Sequence, residues 1–170
     1  QFQEGSARAW WVFGDLDFDL VYNGQGQLDP LVAGRSLRFQ GKTKNWVVGG
    51  TGRYLGLDAN QFNSIKLLLK NNQKKGVGPT VIIELYVAPN ANWMVKNPEA
   101  RDYKLKYEYK FTHTLHMDWQ GWKMVTVPFK NFLPDSPRIT HRFWDGATHV
   151  AAGHIIQMQL IVLTAEKKGA

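Results

Sequence analysis

The chain contains no cysteine. That excludes disulfides, thiolate nucleophiles and thiolate metal centres, but leaves the compartment open, because many exported bacterial proteins also lack it. No apolar run approaches the roughly 18 residues a membrane-spanning helix needs. No segment carries a convincing helical period. Acid is scarce: 14 Asp and Glu stand against 21 Lys and Arg, for a formal net charge of +7. What is present is globular in character, with 44% hydrophobic, 13% aromatic and 21% charged residues in a 170-residue chain, the length of one domain.

A basic surplus points towards nucleic acid, an anionic membrane or an acidic polymer. No Arg-rich stripe or recognition-helix pattern accompanies it. The densest run, from Lys66 to Lys75, reads as an apolar strand followed by a lysine-bearing turn. A solvated basic surface is the plainer reading, and nucleic acid is set aside. The chain opens on Gln1 rather than Met. Read as the new end left by processing or excision, this predicts export to the periplasm or the medium.

The dominant period is two. Asp15, Asp17 and Asp19 alternate with Leu16, Phe18 and Leu20; Ser36–Gln40, Ser64–Lys70 and Thr80–Val87 read as further strands. From Lys104 to Leu115, Leu105, Tyr107, Tyr109, Phe111, His113 and Leu115 share one face, opposite lysines, threonines and Glu108. Lys123–Pro128 and Ile155–Leu163 complete the set. Together they predict one all-β domain over residues 1–170: a two-sheet antiparallel sandwich of the jelly-roll type, with at most one short helix, between Asn131 and Val150. Gly49–Arg53 reads as a mobile glycine-rich loop, and Gly56, Asp58 and Asn60 as part of a second loop. Long connections at Val87–Tyr103 and Phe129–His154 are where functional loops are expected.

Three segments carry a resemblance. Gly34-Arg35-Ser36-Leu37-Arg38-Phe39, the stretch Leu57–Lys70 and Gly121-Trp122-Lys123-Met124-Val125-Thr126-Val127-Pro128-Phe129 with Phe132 resemble bacterial carbohydrate-binding modules attached to cellulases and β-glucanases. The likeness covers residues from about Gly34 onward. It implies a sandwich that binds a β-glucan-type polysaccharide without catalysis, with Trp122, Phe129 and Phe132 as apolar anchors at one end. The family's opening pair of acids, often beside a structural calcium, is matched only loosely by Asp15, Asp17 and Asp19. Those three are the candidate calcium ligands, and an ordinary wet strand face explains them equally well. Sheath proteins of spirochaete flagellar filaments are similar too, and imply an assembly role instead.

Sugar binding needs flat aromatic faces for the C–H surface of a pyranose and fixed polar groups for its hydroxyls. The richest supply is Trp93, Arg101, Asp102 and Tyr103, continuing into Tyr107 and Tyr109. The competing reading folds Trp93 back as a lid and packs both tyrosines into the core. His113 and His116 fall on opposite faces of a strand, which argues against a shared metal. No paired carboxylates, nucleophile elbow or phosphate loop stand out, so no enzyme activity and no required cofactor are expected. Two readings remain: a carbohydrate-binding domain, or a protein subunit of a filament sheath or surface lattice. The second would use Trp10, Trp11, Trp46, Trp93, Trp119 and Trp144 at interfaces.

Overall fold

The computed structural model describes residues 10–23, 34–42, 46–88, 109–135 and 154–164. Ten strands run in chain order: β1 (Trp10–Gly14), β2 (Leu16–Asn23), β3 (Gly34–Gly41), β4 (Val47–Asp58), β5 (Ser64–Asn71), β6 (Thr80–Ala88), β7 (Tyr109–His116), β8 (Gly121–Pro128), β9 (Leu133–Pro134) and β10 (His154–Leu163). Single 3-10 turns at Ala59–Gln61 and Phe129–Asn131 are the helical elements among the described residues. No helix there is long and apolar enough to cross a membrane.

Six strands form one antiparallel sheet in the order β1-β4-β10-β6-β7-β9, and β2-β3 and β5-β8 form two ribbons. The result is the all-β antiparallel sandwich that the alternation predicts. On β6, Val81, Ile83, Leu85 and Val87 point into the core, joined by Phe111 of β7 and Ile155, Met158 and Leu160 of β10. Val125 and Val127 of β8 meet them from the other side, with Ile65, Leu67 and Leu69 of β5 packed alongside. Each such side chain contributes about 1.5–3 kcal/mol by leaving water, so this interface between sheet and ribbon dominates the fold. The β2-β3 ribbon covers the other end: the Phe39 ring lies 6.4 Å from Trp10 and 6.3 Å from Phe18.

Phe129 and Phe132 are fully buried, as their place in the Gly-Trp to Pro-Phe segment implies. Trp122 is not an anchor of that kind. It shares the parity of Met124 and Thr126, on the face of β8 turned away from the core, where it pairs with Lys70. The expected strand from Lys104 is described only from Tyr109 onward, and most of the two long connections also lies outside the described residues.

Gly49–Arg53 is not a loop. It lies within β4, a twelve-residue strand hydrogen-bonded on both sides, and Gly56 and Asp58 belong to the same strand. The explanation sits on its partner β1, where Phe13 pairs with Gly50 and Trp11 with Gly52. A Cβ on Gly50 would overlap the Phe13 ring, and one on Gly52 would lie 2.8 Å from both Trp11 Cζ2 and Gln159 Cγ. The glycines give up side chains so that two large rings can lie down over the strand. The entropic cost of glycine in a strand is offset by the aromatic cover.

One buried polar group locks the far end. Asn71 is 3% exposed. Its amide donates to the carbonyls of Val77, Met117 and Trp119 at 3.3, 3.0 and 2.7 Å, and its Oδ1 accepts from the Gln73 N–H at 2.9 Å. This single side chain therefore ties the β5-β6 turn to the β7-β8 turn.

Candidate functional site

The register across the large sheet builds a surface that no single segment reveals. Its core-facing side is apolar; the opposite side is laid out in three rows. The middle row runs Trp11, Gly52, Gln159, Glu84, Thr112 and Leu133, one residue from each strand. Below it lie Tyr54, Gln157, Tyr86 and Lys110; above it lie Phe13, Gly50, Ile161, Ile82 and Thr114. The face is thus polar through its middle and aromatic at the β1-β4 edge.

The polar part is a connected network. The Tyr86 hydroxyl lies 2.9 Å from Glu84 Oε2 and 3.2 Å from Gln159 Oε1. Lys110 Nζ donates to Glu84 Oε1 at 3.2 Å and to Asp135 Oδ2 at 2.8 Å, and lies 5.9 Å from the Tyr86 ring centroid. Partial burial pulls the Lys110 pKa down, but the hydrogen bonds it donates to Asp135 and Glu84, and their charges, outweigh it, so the group titrates above its ordinary value. The ammonium is held charged and fixed in place. Tyr86, Glu84, Gln159 and Lys110 thereby present donors and acceptors in defined positions, which is what hydroxyl recognition requires.

The aromatic part is a shaped edge. The Trp11 and Tyr54 rings have centroids 4.7 Å apart at 46°, and both Tyr54 and Phe13 are exposed. Trp11 is fixed from below by Gly52, while the Thr51 hydroxyl donates to the Trp11 carbonyl at 2.8 Å from the core side of the same strand. Two tilted rings beside a polar belt form a twisted platform, not a closed pocket.

The residues singled out from sequence fare differently. Trp93, Arg101, Asp102, Tyr103 and Tyr107 lie outside the described residues. Tyr109 packs against the core, its ring 6.3 Å from Phe111, on the side away from this face. Asp15 sits at the bend before β2, where its N–H donates to the Val48 carbonyl at 2.8 Å. Asp17 is exposed, and Asp19 is held by Arg38, whose Nε donates to Oδ1 at 2.9 Å and whose Nη2 meets Oδ2. That pairing raises the Arg38 pKa through the hydrogen bond and then the charge. Among the described residues, no three His, Asp or Glu side chains are drawn together into a metal site. The His113 ring lies 5.6 Å from that of Phe132, tilted by 48°, while His116 bonds Thr80 from the other face of β7.

Sequence reading missed Trp11, Tyr54, Glu84, Tyr86 and Gln159 as one group, because they come from four strands distant in the chain. One signal was legible. Trp11-Val12-Phe13 and Gly50-Thr51-Gly52 share a two-residue spacing, large against small, as a cross-strand fit demands. No family model, curated protein or solved structure matches the chain.

Proposed function

We propose that the chain is a non-catalytic carbohydrate-binding domain that holds a β-glucan-type polysaccharide on the outer face of its six-stranded sheet. The observation supporting this reading is the coexistence, on one registered surface, of fixed polar groups with an exposed aromatic edge. Tyr86, Glu84, Gln159 and Lys110 would meet sugar hydroxyls; Trp11 and Tyr54 would lie against pyranose C–H faces. An open platform suits a polymer that enters and leaves sideways. At about 0.3 kcal/mol per heavy atom, one hexose gains only some 3–4 kcal/mol, so useful affinity requires several sugars. A surface crossing six strands at about 4.8 Å spacing is long enough for that.

The test is affinity electrophoresis and calorimetry on soluble glucans, comparing the native chain with Trp11→Ala and Gln159→Ala. Selective retention that both substitutions weaken supports the reading; no retention by any neutral polysaccharide overturns it.

The assembly reading, as a sheath or lattice subunit, draws on one feature of the same face. Apolar groups stand at both of its edges, Phe13 at 40% and Leu133 at 66% exposure. A strictly monomeric chain at high concentration would remove that support.

A further inference from the structure

The second exposed face of the sandwich has a different chemistry. The β5-β8 ribbon turns Lys66, Leu68 and Lys70 outward beside Thr126, Met124 and Trp122. From Gln61 to Ile83 and from Trp119 to Pro134 the sequence contains six lysines and no acid. All six, Lys66, Lys70, Lys74, Lys75, Lys123 and Lys130, are exposed. None forms a salt bridge among the described residues, whereas Arg38 and Lys110 elsewhere are both paired. Two acids flank the second stretch: Asp118 in the β7-β8 turn, where its carbonyl accepts from the Gly76 N–H at 2.8 Å, and Asp135, which is paired with Lys110.

Two of the ammonium groups are organised by indole rings. Lys70 Nζ lies 5.7 Å from the Trp122 ring centroid and Lys123 Nζ 4.8 Å from that of Trp119. Lys66 and Lys70 are spaced about 13 Å apart along one strand. The ribbon as a whole extends about 25 Å, with Lys130 at one end and Lys74 and Lys75 at the other. Unpaired like charges along such a strip repel one another, and a polyanion laid across them relieves the repulsion.

We propose that this ribbon is a separate binding surface for an acidic polysaccharide, one carrying carboxylates at regular intervals. Charge complementarity supplies the attraction. The composition selects the class. All six bases are lysines, compact point charges that suit single carboxylates, and none is the forked guanidinium favoured for bidentate phosphate contact. On the outward face the Trp122 indole carries the Lys70 ammonium beside its ring, leaving a mixed apolar and cationic surface for a sugar ring and its acid group. Lys123, by contrast, shares the inward parity of Val125, and its partner Trp119 packs against the core. This face is independent of the neutral platform described above, and either can fail without the other.

The test uses the purified chain and immobilised polygalacturonate at low ionic strength, with unsubstituted glucan, poly-L-glutamate and oligothymidylate as comparison probes. Retention on polygalacturonate that salt releases is expected. The double variant Lys66→Glu/Lys70→Glu should weaken it by about tenfold or more, while its circular dichroism and glucan behaviour match the native chain. Trp122→Ala should weaken it further than it weakens retention on poly-L-glutamate. No retention of the native chain, or equal retention of the double variant, overturns the proposal. Binding to oligothymidylate or poly-L-glutamate as tight as to polygalacturonate overturns the sugar assignment.

Discussion

The two outward faces of this sandwich are made from the same strand geometry yet treat charge in opposite ways. On the six-stranded sheet, Lys110 stands between Glu84 and Asp135, Tyr86 caps the network, and every charge described there has a partner. On the β5-β8 ribbon Lys66 and Lys70 stand outward with no acid in the register beside them. Aromatic rings differ in the same way. Trp11 and Tyr54 group with each other, whereas Trp122 and Trp119 each sit against an ammonium. On the proposed readings, the pairing pattern, more than the residue count, would decide what each face attracts. A satisfied network offers directional hydrogen bonds to neutral hydroxyls; an unsatisfied strip offers long-range attraction that salt screens within about 8 Å at physiological ionic strength.

Substitutions can separate the faces. The largest expected effect is Gly52→Val, since its side chain must displace Trp11 and Gln159 and crowd the Met158 carbonyl. We expect a loss of about 3 kcal/mol, read as a fall in Tm of roughly 6–12 °C, together with loss of glucan retention. An unchanged Tm would mean that the rings do not rest on the strand. Asn71→Ala comes next. It removes three donor contacts and leaves buried carbonyls unpaired beneath the lysine turn, for an expected loss of about 2–3 kcal/mol by urea unfolding. Trp11→Ala should reduce glucan affinity about tenfold, equivalent to about 1.4 kcal/mol, and leave polygalacturonate retention unchanged. Equal loss on both probes would show that the faces are not independent.

A smaller effect is expected from pH. The Lys110 pKa is raised in the folded chain above the ordinary 10.5, so its contribution is fully present below that value and disappears as pH rises through the higher one. Native stability should therefore decline on the alkaline side of about 10.5 by a component absent from Lys110→Met, measured by denaturant titration. The smallest effect is Arg38→Ala. The ion pair with Asp19 is solvent-exposed, so removing it should leave Tm unchanged within error.

Much of the architecture could be read from alternation. β2, β5, β6, β8 and β10 each contain a segment where apolar and polar residues trade places, and one buried face per strand imposes that pattern. β1 and β4 escaped because their stabilising partner is in the opposite strand. Glycine in β4 looks like a loop until Phe13 and Trp11 are laid over it, and only the register brings them together. Trp122 misled in the other direction. Its neighbours Phe129 and Phe132 are anchors, but one step of strand parity turns Trp122 outward. The candidate platform was least legible of all, because Gln157 and Gln159 look like ordinary wet positions until Tyr86, more than seventy residues earlier, donates to one of them.

The position of β10 bears on how the chain reaches this state. It lies between β4 and β6, yet follows every other described strand in the sequence. Until it inserts, the large sheet consists of two halves, each with an open hydrogen-bonding edge next to apolar side chains. Such edges are templates for pairing with another molecule, and closure requires contacts between residues about a hundred positions apart, the slow kind in folding. The strand that closes the sheet is therefore the one whose insertion is expected to set the pace of folding. A chain cut short before it would leave the facing edges of β4 and β6 open, and such a truncation is expected to aggregate.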